Sequence, residues 1–181
     1  MIELLIVVAI IGILAALITV SVNVALTNAK IARVKQDLQT FASAVSIAEA
    51  NTGEVLGQIN GGSYGGNIWP GGGSVNFNNL SDSSGAVQYW YSLLANVQTA
   101  CNGECNNIST MKRDPWGNPY GIDPNELEFS GALCRRDLVL SAGPNGIVDT
   151  SDSIINDVIP PCGGDDICYV LPFASGTCTN Q

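Results

Sequence analysis

Histidine is missing from all 181 residues. Its absence excludes Ser-His-Asp and Cys-His catalysis within the chain, and every site that would hold zinc, haem or copper through imidazole. Charge is also scarce, at 13% of residues against 46% hydrophobic, and positive charge is the scarcest. Seven Lys and Arg face sixteen Asp and Glu for a net charge of −9, and only Lys112, Arg113, Arg135 and Arg136 follow position 35. A chain so acidic is poorly suited to a phosphate backbone, so nucleic acid is not an expected partner. No carboxylate pair has the apolar surroundings that mark an acid/base dyad, and no enzyme is read from the chain. The length fits one domain plus one appended element.

What is present is unevenly placed. All six cysteines, Cys101, Cys105, Cys134, Cys162, Cys168 and Cys178, lie in the C-terminal half. An even count in a loop-rich region points to up to three disulfides and an oxidising compartment. The rival is a four-thiolate metal site. Cys101-Asn-Gly-Glu-Cys105 has plausible ligand spacing, but no second short pair follows at a matching interval. Connectivity is left open by the sequence.

The apolar residues crowd into the N-terminus. From Leu4 to Ala29 there is no charge, and only Glu3 interrupts the run at its start. At ~1.5 Å per helical residue, about twenty such residues cross a ~30 Å hydrocarbon core, so this stretch is long enough to span a bilayer. A cleaved signal peptide would begin with basic residues and end at a small-residue cleavage site. Here the run continues into an amphipathic segment. Ile31, Val34, Leu38, Phe41, Val45 and Ala48 form one stripe, opposite Arg33, Lys35, Gln36, Gln39, Thr40 and Ser43. Asn51-Thr52-Gly53 is the first stop signal, which predicts one helix from about residue 2 to about residue 51, roughly 75 Å long.

Beyond it, Gly57 to Gly85 reads as a long Gly/Asn/Ser loop with one short extended piece. Residues 84–98 read as a packed helix. Residues 120–122, 127–129 and 137–140 read as strands of a small antiparallel sheet. The tail from Pro160 carries half the cysteines and an apolar run, Ile167 to Phe173. Asp165-Asp166 beside Gly163-Gly164 reads as an exposed turn, with a cation-binding pair as the alternative. Met111-Lys112-Arg113 reads as a solvated face. Asn79-Leu80-Ser81 and Asn107-Ile108-Ser109 have the form of glycosylation sequons.

The opening Ile2-Glu3-Leu4-Leu5-Ile6-Val7-Val8-Ala9-Ile10-Ile11-Gly12-Ile13-Leu14-Ala15-Ala16 resembles the mature N-terminus of type IV pilins and type II secretion pseudopilins. The resemblance implies that Glu3 is an assembly contact. A carboxylate within an apolar helix bundle is costly unless paired, and in that family a neighbour's free N-terminal amine supplies the partner. Two positions depart from the family. Met1 stands where it has leucine, and Val20 where it often has a proline that lets the helix break in the filament. Gly12 remains a weak point, costing ~1 kcal/mol relative to alanine in a regular helix.

A second segment, Arg113-Asp114-Pro115-Trp116-Gly117-Asn118-Pro119-Tyr120, resembles the Asp-Pro-Trp-Gly-Asn-Pro-Tyr turn of major pseudopilins and related pilins. Its Pro and Gly positions impose successive turns, and its aromatics offer packing surface, so it reads as structural. The rival is a carbohydrate-binding Trp116. A third, Leu140-Ser-Ala-Gly-Pro-Asn-Gly-Ile-Val-Asp-Thr-Ser-Asp152, places oxygen donors at 145, 149 and 152 around Gly146, a pattern suited to a hard cation. It resembles the calcium loop of major pseudopilins. That likeness implies calcium held by Asn145 and Asp152, with carbonyls of Leu140 and Ile147 and with Asp149 as a further candidate. The alternative is an Asx-rich turn closed by its own hydrogen bonds.

The expected fold is α+β: a long N-terminal helix, apolar in its first half, on a small antiparallel sheet with disulfide-tied loops. Residues 1–28 would form the membrane or filament-core half-helix, and 29–181 the pilin head. The function implied is structural. Identical subunits wait in the inner membrane, meet the pilus or secretion machinery, and assemble into a homo-oligomeric extracellular helical filament. The alternatives are a periplasmic major pseudopilin and a membrane-tethered periplasmic binding domain that never polymerises.

Overall fold

One helix organises the chain. In the structure, a computed structural model, residues 2–62, 75–124, 136–150 and 162–172 are described, the side chains of residues 15–21 excepted. The helix α1 (Ile2–Thr52) covers 51 residues without a break. No proline occurs before Pro70, so nothing removes a helical hydrogen bond. It stops where the sequence places Gly53: the Gly53 N–H donates to the Glu49 carbonyl at 2.8 Å and its φ of +71° is the left-handed cap glycine favours.

Only the second half of α1 carries the head. Val34, Leu38, Phe41, Val45 and Ala48 are buried, as the stripe predicts, and Ala42 and Ala44 widen the face. A short helix α2 (Leu56–Ile59) follows, and then α3 (Gly85–Ala100) packs on α1. The N-cap of α3 is Ser84, whose hydroxyl accepts from the Val87 N–H. Its buried residues Val87, Trp90, Leu93, Leu94 and Val97 fall three or four apart, so one stripe meets the other. At the core, the Phe41 and Trp90 rings lie 5.0 Å apart and the Trp90 and Tyr120 rings 5.5 Å apart, all tilted. The Trp90 indole N–H donates to the Met111 carbonyl at 2.8 Å, so its one polar atom is satisfied.

Two small antiparallel sheets complete the head. β2 (Gly121–Asp123), β3 (Leu138–Ser141) and β5 (Ile167–Val170) form one in the order β2-β3-β5. β1 (Val75–Asn76) and β4 (Ile147–Val148) form the other. β3 is central and fully buried, with Leu140 opposite Gly121 on one side and Cys168 on the other. The fold class is therefore as expected, a long helix on small antiparallel sheets. One strand comes from an unexpected place, since the tail run 167–170 supplies the third strand of the larger sheet. The expected strand at 127–129 lies outside the described residues.

Disulfides join Cys101 to Cys105 and Cys162 to Cys168, pairs four and six residues apart, and no four-thiolate site forms from these cysteines. Cys134 and Cys178 lie outside the described residues. The first bridge closes the loop after α3, which Asn51 also holds through a 3.1 Å bond to the Cys101 carbonyl. The second closes the turn that carries Asp165 and Asp166.

Candidate functional site

The first half of α1 is exposed wherever its side chains are described. Its large apolar side chains are exposed throughout the described part, from Leu4 at 74% to Leu26 at 56%. A soluble surface rarely presents so continuous an apolar face, which marks a site of contact with another molecule or a membrane. Glu3 and Gly12 both sit on this face. Glu3 is exposed and has no partner among the described residues. A Cβ on Gly12 would meet open space. Among the described residues, no helix is long and apolar enough to cross a membrane.

Where the apolar half ends, a polar collar joins helix to head. The Lys30 ammonium lies 5.7 Å from the centre of the Trp116 ring, within cation–π range. Arg33 reaches Asp37 at 3.7 Å along one helix face. The Tyr120 hydroxyl donates to the same Asp37 Oδ2 at 2.7 Å. Burial first, and then the neighbouring Asp37 carboxylate, push the Tyr120 hydroxyl far above the usual tyrosine range.

The aromatic turn forms the base of that collar. Asp114 Oδ1 accepts the N–H groups of Trp116 and Asn118 at 2.9 Å each, and its Oδ2 accepts the Ser141 hydroxyl at 2.6 Å. One buried carboxylate thus closes its own turn and clamps it to the end of β3. Its pKa is raised, burial outweighing the hydrogen bonds from Ser141 and from the turn's backbone N–H groups. The turn packs on the core, with Trp116 half-buried against it. Arg113 departs from the solvated face expected of Met111-Lys112-Arg113. Its side chain is 27% exposed, pairs with Asp82 at 2.6 Å, and donates to the carbonyls of Leu80 and Gly117 at 2.7 Å each. Met111 is buried. That arginine holds the Asp82 carboxyl below its ordinary range.

Next to the turn lies the loop expected to bind calcium. Of its predicted donors, Asn145 and Asp149 come together, Asn145 Nδ2 donating to Asp149 Oδ2 at 3.4 Å. Asn145 Oδ1 is engaged in an Asx turn, accepting the Ile147 N–H at 2.6 Å. Leu140 lies within the central strand β3 and Ile147 within β4. Asp152 lies outside the described residues. No three acidic or thiol groups converge on a point among the described residues.

The turn at 162–168 folds against this loop instead of standing apart. Asp165 Oδ2 accepts the Asn145 N–H at 3.0 Å. Asp166 Oδ2 accepts the N–H groups of Asp149 and Thr150 and the Thr150 hydroxyl, all at 2.6–2.8 Å. The approach is close enough to require glycine. A Cβ on Gly143 (φ +62°) would run into the Asp165 carbonyl, and one on Gly164 (φ +52°) into the Asp149 carboxylate. Asp166 is only 8% exposed, which corrects the expectation of an exposed turn. Burial, and the negative Asp149 nearby, raise its pKa. The sequence carried a signal for this in a Gly-Gly-Asp-Asp run between two cysteines six apart, which a short disulfide pins inward. No protein-family model, curated protein or solved structure matches the chain.

Proposed function

We propose that this chain is a structural subunit of a type IV pilus-like filament. The observation that supports it is the unbroken helix whose apolar first half is exposed on every described side, with the unpartnered Glu3 in its first turn. Such a surface needs either lipid or copies of itself. Before assembly it would lie in the inner membrane. After extraction by the assembly machinery it would pack against identical half-helices, each fully buried Leu, Ile or Val contributing ~1.5–3 kcal/mol relative to water. Glu3 would then take a neighbour's N-terminal amine as its partner, setting register. From residue 38 onward there are fourteen acidic and four basic residues, a net −10 that hydrates the filament surface and limits bundling. The role is mechanical and not catalytic, and calcium is the cofactor proposed for the head.

A major pseudopilin of type II secretion is the second reading. The clamped Asp114–Tyr120 turn beside the 140–150 loop favours it. Six cysteines and the long Gly/Asn-rich loop favour an external filament, where crosslinks and added coverage protect the subunit. The experiment compares surface-sheared material from cells making wild type or Glu3→Ala. Filaments of this chain should be present in the first and absent in the second, with equal subunit in the membrane fraction. Filaments undiminished in Glu3→Ala would remove the assembly role, and subunit confined to the membrane in both would leave the pseudopilus or a tethered domain.

A further inference from the structure

Basic residues are scarce, yet three of the seven, Lys30, Arg33 and Lys35, fall together where the apolar half of α1 ends, and no acidic residue lies between Glu3 and Asp37. Acidic residues outnumber basic ones sixteen to seven, so carboxylate partners are plentiful in the chain. The collar does not take them. Among the described residues Lys30 and Lys35 meet no carboxylate, and Arg33, its side chain 63% exposed, reaches only Asp37 at 3.7 Å. An exposed pair at that distance contributes little. Arg33 and Lys35 are exposed on either side of buried Val34, so they flank the face that carries the head. The Lys30 ammonium lies instead over Trp116, which the head brings to the same level of the helix. Trp116 and its neighbour Pro115 are only half-buried.

We propose that this collar binds the phosphates of an anionic membrane surface, with Trp116 seated at the headgroup level. The inference rests on the membrane stage of the proposed function and names the lipid that stage favours. Side chains on a helix lean toward its N-terminus, so the three cations reach back toward the apolar half. Lys30 follows Leu26 by about one helical turn. From Lys30 to Lys35 the helix rises about 7.5 Å, close to the ~5–7 Å depth of a headgroup layer. Long basic side chains keep their stems on apolar surface and their charges in that layer, and tryptophan favours the same depth. Charge complementarity selects the lipid. The rest of the head, net −10 from residue 38, is repelled by an anionic surface, so attraction is concentrated where the helix leaves its apolar half. The acidic head of a second copy has the same sign of charge, but it gives Trp116 no interfacial depth to occupy.

The test uses the full chain reconstituted in phosphatidylcholine bilayers, with spin-labelled phosphatidylglycerol or spin-labelled phosphatidylcholine as the probe. Electron spin resonance reads the fraction of each probe held at the protein, and no filament is needed. Wild type should favour phosphatidylglycerol by at least about threefold, and raised salt should erode that preference. Lys30→Gln/Lys35→Gln should bring it to roughly parity, Lys30→Arg/Lys35→Arg should restore it, and Lys112→Gln on the head should leave it unchanged. No preference in wild type, or one that survives the Gln substitutions, would overturn the inference while leaving the membrane stage intact. Wild-type parity with weaker cross-linking between copies of the Gln variant would overturn it in favour of a second copy's acidic head. A chain that fails to enter the bilayer would remove the membrane stage, and this inference with it.

Discussion

The Tyr120 hydroxyl donates to Asp37 Oδ2 at 2.7 Å, joining residues 83 apart in sequence. Asp37 lies seven residues past Lys30, where the exposed half of α1 gives way to the half that carries the head. Tyr120 leads into β2 and its ring packs on Trp90, which packs on Phe41 of the same helix. The aromatic turn therefore holds the head against the helix at both a polar and an apolar point, fixing the direction in which the apolar half projects.

Tyr120→Phe keeps the ring and deletes the bond. A hydrogen bond to a charged acceptor contributes ~1.5–3 kcal/mol, and Asp37 is 21% exposed, so water recovers part of it. The expected loss is about 1–2 kcal/mol, a fall of roughly 2–8 °C in the melting midpoint. Calorimetry of the full chain in micelles reads it, and an unchanged midpoint would mean the bond contributes nothing.

Phe41→Ala should cost far more. Phe41 is fully buried between the helix and Trp90, and truncating such a ring costs ~3–5 kcal/mol in lost transfer energy and cavity. Denaturant unfolding followed by Trp fluorescence measures it. A loss under 1 kcal/mol would show that this aromatic stack is not the core of the head.

Asp114 makes stability depend on pH in a defined direction. Burial raises its pKa in the folded chain, so in the window from the ordinary carboxylate range up to that raised value the folded state holds a proton the unfolded state has lost. Its contribution therefore favours folding below the window and declines as pH rises through it. Asp114→Asn is nearly isosteric and removes this dependence. Melting midpoints of wild type minus variant, taken from pH 4 to 7, should become less favourable to wild type as pH rises. A difference that is flat or rises with pH would contradict the burial argument.

The Cys101–Cys105 bridge closes a very short loop. Loop-closure entropy for so few residues is worth about 2 kcal/mol. Replacing both by serine should lower stability by that order and loosen the end of α3, which Gln98 ties onward through its 2.8 Å bond from the Ile108 N–H. Faster amide exchange at residues 97–108, with α1 unaffected, is the expected pattern.

The long helix, its stripe, α3 and the core of the sheet were all legible because apolar spacing reports burial directly. Gly53 marked the end of its helix by chemistry that needs no tertiary context. What escaped the sequence was long-range. Nothing local says that residues 167–170 will pair with β3, or that Arg113 will fold back onto Asp82. The buried Asp166 was hidden for the same reason. Two carboxylates beside two glycines look like an exposed turn until another loop is laid over them, and that loop comes from residues 143–150.

The measurement that bears most directly on the account is a cryo-electron-microscopy reconstruction of filaments sheared from the cell surface. It should place residues 2–29 of each copy in a solvent-free helical core, Glu3 within contact of a neighbour's N-terminus, and the acidic head outside. Filaments whose core is built from the head, or a preparation in which this chain never leaves the membrane, would contradict it.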